Sequence, residues 1–235
     1  METNNLIAKK YNMLYCLPVY SGTLAIEGIL KLLNLPKKSK VLITSTVCYS
    51  ILQAILNCDL IPIIAIPKYG ITLSKEEVIN IVEMEKIKVF IAVHQYGYVQ
   101  EIPIKKNFIV IEDISQAWNV QCRESEIGQN SDYIISSLGK TKPLSNGIGG
   151  LILSNNNFLD KFDLKNREDR YKSHTLIQYY YPGPINYKQL IRKANKKVRF
   201  QRKNAKMFSE IFKKYNFINI INYKNSLPSF HRYVV

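Results

Sequence analysis

Short apolar runs of β type alternate with amphipathic helical patterns along most of this chain. The runs predict strands near 13–19, 40–44, 61–66, 88–93, 108–112, 132–137 and 149–154. One helix is predicted to open at Ser21-Gly-Thr and to end before Pro36, a second starts near Thr46, and Ser74 with Glu77 forms a capping box for a third. This alternation is typical of an α/β fold with a mostly parallel, mixed sheet flanked by helices.

Length and composition exclude several other classes of protein. A chain of 235 residues with 46% hydrophobic residues buries a substantial core and is not disordered. No apolar stretch approaches the roughly 20 residues of a membrane span, and the start lacks the pattern of a signal peptide, so we expect a cytoplasmic protein. Cys16, Cys48, Cys58 and Cys122 show no metal-type pairing. We read them as reduced thiols and assign no metal site.

A net charge of +15 is compatible with several anionic partners. Eight basic residues lie between Arg192 and Lys206. Apolar residues recur among them at helical spacing, namely Leu190, Ala194, Val198, Ala205, Phe208 and Phe212. This pattern favours the solvated face of one amphipathic helix over a nucleic-acid-binding surface.

Two positions carry the groups that one particular cofactor requires. Asp113 ends the apolar run Phe108-Ile-Val-Ile-Glu-Asp, and Lys142 lies in the glycine-containing segment 137–150. A carboxylate at the end of a parallel strand lies at the edge where α/β sheets place ligands, and burial there calls for a cationic partner. A lysine amine forms a Schiff base with an aldehyde. Pyridoxal phosphate needs both groups, so we expect this chain to bind it.

Simpler interpretations exist for these residues. Ser21-Gly-Thr is also compatible with an ordinary helix N-cap, and Asp113 with a cap or a surface carboxylate. Lys140 is a rival of Lys142, and either lysine is a surface residue if no pocket forms. The Gly147-Ile-Gly-Gly150 turn favours a pocket, because glycine lets backbone pack tightly around a ligand.

A series of motifs runs in order from Tyr15 to Asn156. They are Ser21-Gly-Thr, Ala92-Val-His-Gln-Tyr-Gly97, Ile111-Glu-Asp-Ile-Ser-Gln-Ala117, Gly128-Gln-Asn-Ser-Asp132, and the block from Ser137 through Lys142 to Gly149-Gly150. Together they resemble the DegT/DnrJ/StrS-type sugar aminotransferases, which are fold-type-I pyridoxal-phosphate enzymes that aminate nucleotide-linked keto sugars. The resemblance implies the large domain of that fold and pyridoxal 5'-phosphate as cofactor.

The resemblance also assigns the residues that hold the cofactor. Gly22 and Thr23, at a helix N-terminus, are matched to the phosphate site, where unpaired N–H groups and the helix dipole attract an anion. Ser137 directs a hydroxyl to the same phosphate. Asp113 pairs with the pyridine nitrogen, and Gln116 reaches the ring oxygen.

Catalysis and substrate binding follow from the same resemblance. The serine-to-lysine spacing of the family selects Lys142 as the catalytic lysine over Lys140. Cys48 stands where relatives often place an aromatic ring against the cofactor, with simple core packing as the alternative. His94 is a candidate for contact with the cofactor ring or substrate or is a packed, hydrogen-bonded histidine. Asn186 resembles an asparagine that reaches into the neighbouring subunit's site.

The expected organisation is a cofactor-binding domain over residues 1–160, followed over 161–235 by linking helices and the start of a small C-terminal domain that is largely missing. Residues 229–235 are predicted to be the first strand of that domain. We expect a homodimer that takes a nucleotide-sugar substrate and an amino-acid donor, glutamate in the first instance. The alternative is a shortened, non-catalytic relative that keeps the fold and the cofactor.

Overall fold

The computed structural model describes residues 5–104, 107–122, 126–156, 183–215 and 226–232. The helices in these ranges are α1 (Leu6–Lys10), α2 (Gly22–Leu32), α3 (Tyr49–Leu56), α4 (Lys75–Glu85) and α5 (Tyr187–Lys214). The strands are β1 (Tyr15–Val19), β2 (Lys40–Thr44), β3 (Ile61–Ala65), β4 (Val89–Val93), β5 (Ile109–Asp113), β6 (Gln121–Cys122), β7 (Tyr133–Ser137), β8 (Gly150–Ser154) and β9 (Ser226–Leu227). A short 3-10 turn covers Gln95–Gly97.

The main sheet is mixed and mostly parallel. Its seven strands run in the order β1-β8-β7-β5-β4-β2-β3. The pairs β2/β3, β2/β4, β4/β5 and β5/β7 are parallel, whereas β8 is antiparallel to both of its neighbours. The seven strands predicted between residues 13 and 154 are all present, so the prediction of a mixed, mostly parallel α/β fold is confirmed.

Alternating side chains divide the sheet between two layers of helices. Val41 and Ile43 of β2 face a core with α2 and α3, whereas Leu42 between them faces the core under α4. Helices α1 and α5 cover the second face further along the sheet, where Leu190 and Val198 pack with other buried residues. Branched and aliphatic side chains on both faces explain why the central strands read as continuous apolar runs.

The strand register brings distant segments to one edge of the sheet. Ser137, at the end of β7, pairs with Gly150 at the start of β8, and Gly150 pairs on its other side with Val19 at the end of β1. In the neighbouring strands Val93 pairs with Asp113. The same edge of the sheet therefore holds the C-terminal ends of β1, β4, β5 and β7. Helix α2 begins at this edge.

Two basic residues of α5 depart from the solvated face that the sequence predicts. Arg192, Lys193, Lys196 and Arg199 are exposed, as expected. Lys197 and Arg202 instead donate hydrogen bonds to backbone carbonyls in other parts of the chain. The prediction is wrong for these side chains, because their long stems reach carbonyls that the helical pattern does not reveal.

The strand predicted over residues 229–235 does not form in the described part, which ends at residue 232. The short strand β9 lies just before it and pairs with β6. Ser229 is buried and donates its N–H to the carbonyl of Gly97 at 3.1 Å. Phe230 has φ +52°, so the chain bends where an extended strand was expected. This segment packs on the sheet domain.

The predicted boundary between residues 160 and 161 falls outside the described residues and stays a prediction. Across the ranges that are described, no helix has the length and apolar character needed to cross a membrane.

Candidate active site

A pocket lies at the sheet edge described above. All seven residues predicted to contact the cofactor line it, namely Gly22, Thr23, Cys48, Asp113, Gln116, Ser137 and Lys142. The other lining residues are Ser21, Ile26, Ser50, Ile51, Val93, Gln95 and Ser115. Segments far apart in the sequence therefore meet around one space.

One end of the pocket is the N-terminus of α2. The hydroxyl of Ser21 accepts the N–H of Leu24 at 3.1 Å, so the N-cap interpretation of this turn is also correct. The N–H groups of Gly22 and Thr23 have no acceptor inside the helix, as in any first turn. A side chain at Gly22 would place its Cβ 2.9 Å from the Cβ of Ser137. This close approach leaves a small polar cradle that suits a phosphate.

Asp113 supplies an acid at the end of β5. The side chain is buried, and its carboxylate accepts the N–H of Ser115 at 2.7 Å. Burial raises the pKa of Asp113, while the hydrogen bonds from Ser115 and the positive charge of Lys142 oppose that rise. An ionised Asp113 is costly here without a cation, which makes it a suitable partner for a protonated ring nitrogen.

Ser115, to which no sequence pattern assigns a role, links the ends of β5 and β7. In addition to its N–H bond to Asp113, its hydroxyl accepts the N–H of Ser137 at 2.8 Å. The Asp-x-Ser spacing at 113–115 is the signal that could have revealed this turn, since Asp side chains accept from the backbone two residues on. Ser115 therefore fixes Asp113 relative to Ser137.

Lys142 lines the pocket and Lys140 does not. The side chain of Lys142 is half-buried, whereas Lys140 is exposed to solvent. The positive charge of Lys142 lowers the pKa of both Asp113 and Cys48, so its amine lies within electrostatic range of both. Of the two rival lysines, the geometry favours Lys142.

Gln116 is held by hydrogen bonds at the pocket wall. Its side-chain oxygen accepts the N–H of Tyr96 at 3.2 Å, and its amide nitrogen donates to the side chain of Gln95 at 3.1 Å. The amide nitrogen carries two hydrogens, so one is left to donate to a ligand oxygen. Gln95 was part of a recognised motif but was not predicted to line the site.

Cys48 precedes α3 and its side chain is exposed at the pocket. The hydroxyl of Ser50 lies 3.3 Å from its sulfur. Hydrogen bonds from Ser50 lower the pKa of the thiol, and the charge of Lys142 adds to the effect. The exposed position argues against the core-packing alternative for Cys48.

The structure favours the packed-histidine interpretation of His94. This residue is buried and lies outside the pocket lining. Its Nδ1 accepts the N–H of Gln100 at 3.0 Å, so Nε2 carries the proton and donates to Glu112 at 2.8 Å. Glu112 also accepts from the N–H of Gly128 and the hydroxyl of Ser131. Both ring nitrogens are used, which leaves neither for a substrate.

Asn186 caps α5, and its side-chain oxygen accepts the N–H of Gln189 at 3.0 Å. It does not line the pocket of its own chain. A role in a neighbouring subunit's site stays a prediction.

The pocket residues fit pyridoxal 5'-phosphate as a donor set. The helix N-terminus and Ser137 offer an anion cradle, Asp113 offers a buried carboxylate, and Lys142 offers an amine in the same space. In the described part of the chain, no group of His, Cys, Asp and Glu side chains is arranged to hold a metal ion.

Comparison with known proteins identifies the family of this chain. The model of the DegT/DnrJ/EryC1/StrS aminotransferase family matches residues 3–174. GDP-perosamine synthase from Vibrio cholerae is 26% identical over 176 residues, which make up 69% of this chain and 47% of that protein. The chain thus spans about half the length of this curated relative.

Solved structures share the fold at lower identity. The sugar aminotransferase CalS13 from Micromonospora echinospora superposes with a TM-score of 0.72 at 17% identity, covering 97% of this chain and 69% of that one. NtdA from Bacillus subtilis, with bound cofactor PMP, gives a TM-score of 0.65 at 18% identity, covering 96% of this chain and 55% of that one. From the family match and the pocket, this chain belongs to the DegT/DnrJ/EryC1/StrS aminotransferase family, whose cofactor is pyridoxal 5'-phosphate.

Proposed function

We propose that this protein transfers an amino group from an amino acid, glutamate in the first instance, to a keto sugar attached to a nucleotide. The observation that carries the proposal is the single pocket in which Asp113, Lys142 and the N-terminus of α2 meet. Bound pyridoxal phosphate would supply the electron sink that amino transfer needs. The names of the relatives, among them a GDP-perosamine synthase, support a nucleotide-sugar substrate.

Each residue has a separable task in this proposal. The first turn of α2 and the hydroxyl of Ser137 would hold the phosphate group. Asp113 would hold the protonated ring nitrogen, because an ionised carboxylate at this buried position needs a cation. Gln116 would donate to the ring oxygen. Lys142 would move a proton to and from the substrate carbon.

We also propose a cytoplasmic homodimer. Exposed apolar side chains stand near the pocket and beyond the edge strand, at Tyr49, Ile66 and Tyr69. Large exposed apolar groups of this kind often mark an interface between subunits. Light scattering should then report twice the monomer mass of 27.2 kDa.

A two-step spectroscopic experiment tests the function. Pyridoxal phosphate is added to the wild type and to the Lys142→Ala and Lys140→Ala variants, and the visible absorbance of bound cofactor is recorded. We expect a band in the wild type and in Lys140→Ala that is missing from Lys142→Ala. Glutamate should then bleach the band and release 2-oxoglutarate in equal amount. A Lys142-dependent band that no amino acid bleaches would support the non-catalytic relative instead.

A further inference from the structure

Lys142 lies in the long loop between β7 and β8. Its ends are closed by backbone hydrogen bonds from Leu138 to the carbonyl of Gly149 at 2.8 Å and from Asn146 to the carbonyl of Leu138 at 2.9 Å. Within the loop, the N–H of Lys142 donates to the carbonyl of Gly139 at 3.0 Å. These bonds fix the two ends of the loop and the turn at residues 139–142.

Lys197 of α5 holds the middle of this segment from outside the pocket. Its ammonium group donates to the carbonyl of Thr141 at 2.8 Å and to the carbonyl of Lys142 at 2.9 Å. Bonds from a charged donor are shorter and stronger than neutral ones. The carbonyl of Lys142 is thus fixed on the side of α5, while its side chain lines the pocket.

The neighbouring lysines on the same helix do not share this arrangement. Lys193 and Lys196 are exposed, whereas Lys197 is half-buried, and burial lowers the pKa of its amine. An ammonium in such a place is retained when acceptors compensate the lost hydration, and two carbonyls do so here. Val198 anchors the adjacent position of α5 in the core, so the amine is carried by a fixed element.

We propose that Lys197 is a positioning residue for Lys142: by bridging the carbonyls of Thr141 and Lys142 to α5, it holds the backbone so that the Lys142 amine meets the cofactor. This inference rests on the proposed function, because it concerns the same lysine. It adds a residue from the basic helix, distant in sequence, to the machinery of the site. Moving a reacting group by about 1 Å can lower the reaction rate by up to ~100-fold.

The test compares three variants of the full chain. Lys197→Met removes the donor and keeps the apolar stem, Lys197→Arg keeps a charged donor, and Lys196→Met removes one neighbouring exposed charge. Two quantities are measured: hydrogen exchange of the amides of residues 138–149 without cofactor, and the rate at which the Lys142-dependent visible band appears after pyridoxal phosphate is added.

In Lys197→Met we expect the amides of residues 138–149 to exchange faster. We also expect the visible band to form roughly 10-fold more slowly, which is less than the loss of rate that a full 1 Å displacement can cause. Lys197→Arg should recover most of the amide protection and most of the rate of band formation. Lys196→Met should behave as the wild type. Equal rates in Lys197→Met and Lys196→Met would overturn the proposal, as would faster exchange without slower band formation. If Lys197→Met does not fold, the pair Lys197→Gln and Lys196→Gln must show the same difference. A wild type that forms no band would refute the proposed function itself, and the inference with it.

Discussion

We expect Asp113 to have opposite effects on the stability of the cofactor-free and the cofactor-bound protein. Its carboxyl group is buried at a strand end, and burial raises its pKa. For an acid with a raised pKa in the folded state, stability falls as pH rises from the unfolded pKa through the folded one. The ionised Asp113 therefore destabilises the protein at neutral pH until a cation pairs with it.

The Asp113→Asn variant should reveal this conflict. Asparagine keeps an oxygen for the N–H of Ser115 and carries no charge, so the cofactor-free variant should melt a few degrees higher at pH 7, at about 2–4 °C per kcal/mol. The advantage should shrink as pH falls toward the ordinary aspartate pKa. Pyridoxal phosphate should stabilise the variant less than the wild type. Thermal melts at several pH values measure all three effects, and a lower melting temperature for cofactor-free Asp113→Asn at pH 7 would contradict the account.

Cys48 gives a second residue-level prediction that does not depend on turnover. Hydrogen bonds from Ser50 lower the pKa of its thiol, whereas burial raises the pKa of Cys58 to about 11. Because the thiolate is the reactive form, iodoacetamide should modify Cys48 before Cys58. Saturating pyridoxal phosphate should protect Cys48, since the thiol lines the pocket. Peptide mass spectrometry follows both sites, and unchanged labelling of Cys48 in the presence of cofactor would place the cofactor elsewhere.

Sequence motifs anticipated the pocket residues well and their supporting partners poorly. Motif spacing selected Lys142 over Lys140, and only Lys142 lines the pocket. Ser115 escaped notice because its task depends on the distance between two strand ends, which a linear pattern does not contain. For His94 the sequence leaves a ligand role and a packed role equally open, and only the structure shows that Glu112 and the backbone of Gln100 occupy both of its nitrogens.

At the scale of elements, strands were easier to predict than helix starts. Apolar runs mark β4 and β5 within a residue, because both faces of these strands are buried. The capping box at Ser74 and Glu77 is present as predicted. The helix predicted near Thr46 begins at Tyr49, since Thr46 instead donates its hydroxyl to the carbonyl of Ile71 in a neighbouring loop.

The long helix α5 also ties the C-terminal segment to the sheet domain. The guanidinium of Arg202 donates to the carbonyls of Asn119, Leu227 and Pro228. Removing this charged donor leaves the carbonyls of residues 227 and 228 without their link to α5, at a cost of about 1.5–3 kcal/mol.

We therefore expect Arg202→Ala to loosen residues 226–232 and to lower the free energy of unfolding by that amount. Arg199→Ala, one turn earlier and exposed, is the matched control and should change little. Hydrogen exchange of the C-terminal peptide and denaturant unfolding provide the measurements. Similar protection of this peptide in the two variants would show that Arg202 does not hold the segment.

At the scale of the whole molecule, topology creates the site. The register that aligns Val19, Gly150 and Ser137 places the start of α2 beside β7, and the parallel pairing of β4 with β5 brings Asp113 to the same edge. The sequence predicts the strands and their common edge, because α/β sheets place ligands there. The folded structure is needed to see the order of the strands across the sheet. It is also needed to see the contact of α5 with the segment that carries Lys142.

Trapping the lysine that binds the cofactor tests most directly whether Lys142 and Asp113 act in one pocket. Borohydride reduction after incubation with pyridoxal phosphate converts a reversible lysine–cofactor bond into a permanent one, and peptide mass spectrometry then identifies the lysine. We predict that the label resides on Lys142 and that Asp113→Asn reduces its yield at limiting cofactor. Labelling of Lys140 or of exposed lysines in proportion to their accessibility, with Lys142 unmodified, would contradict the account.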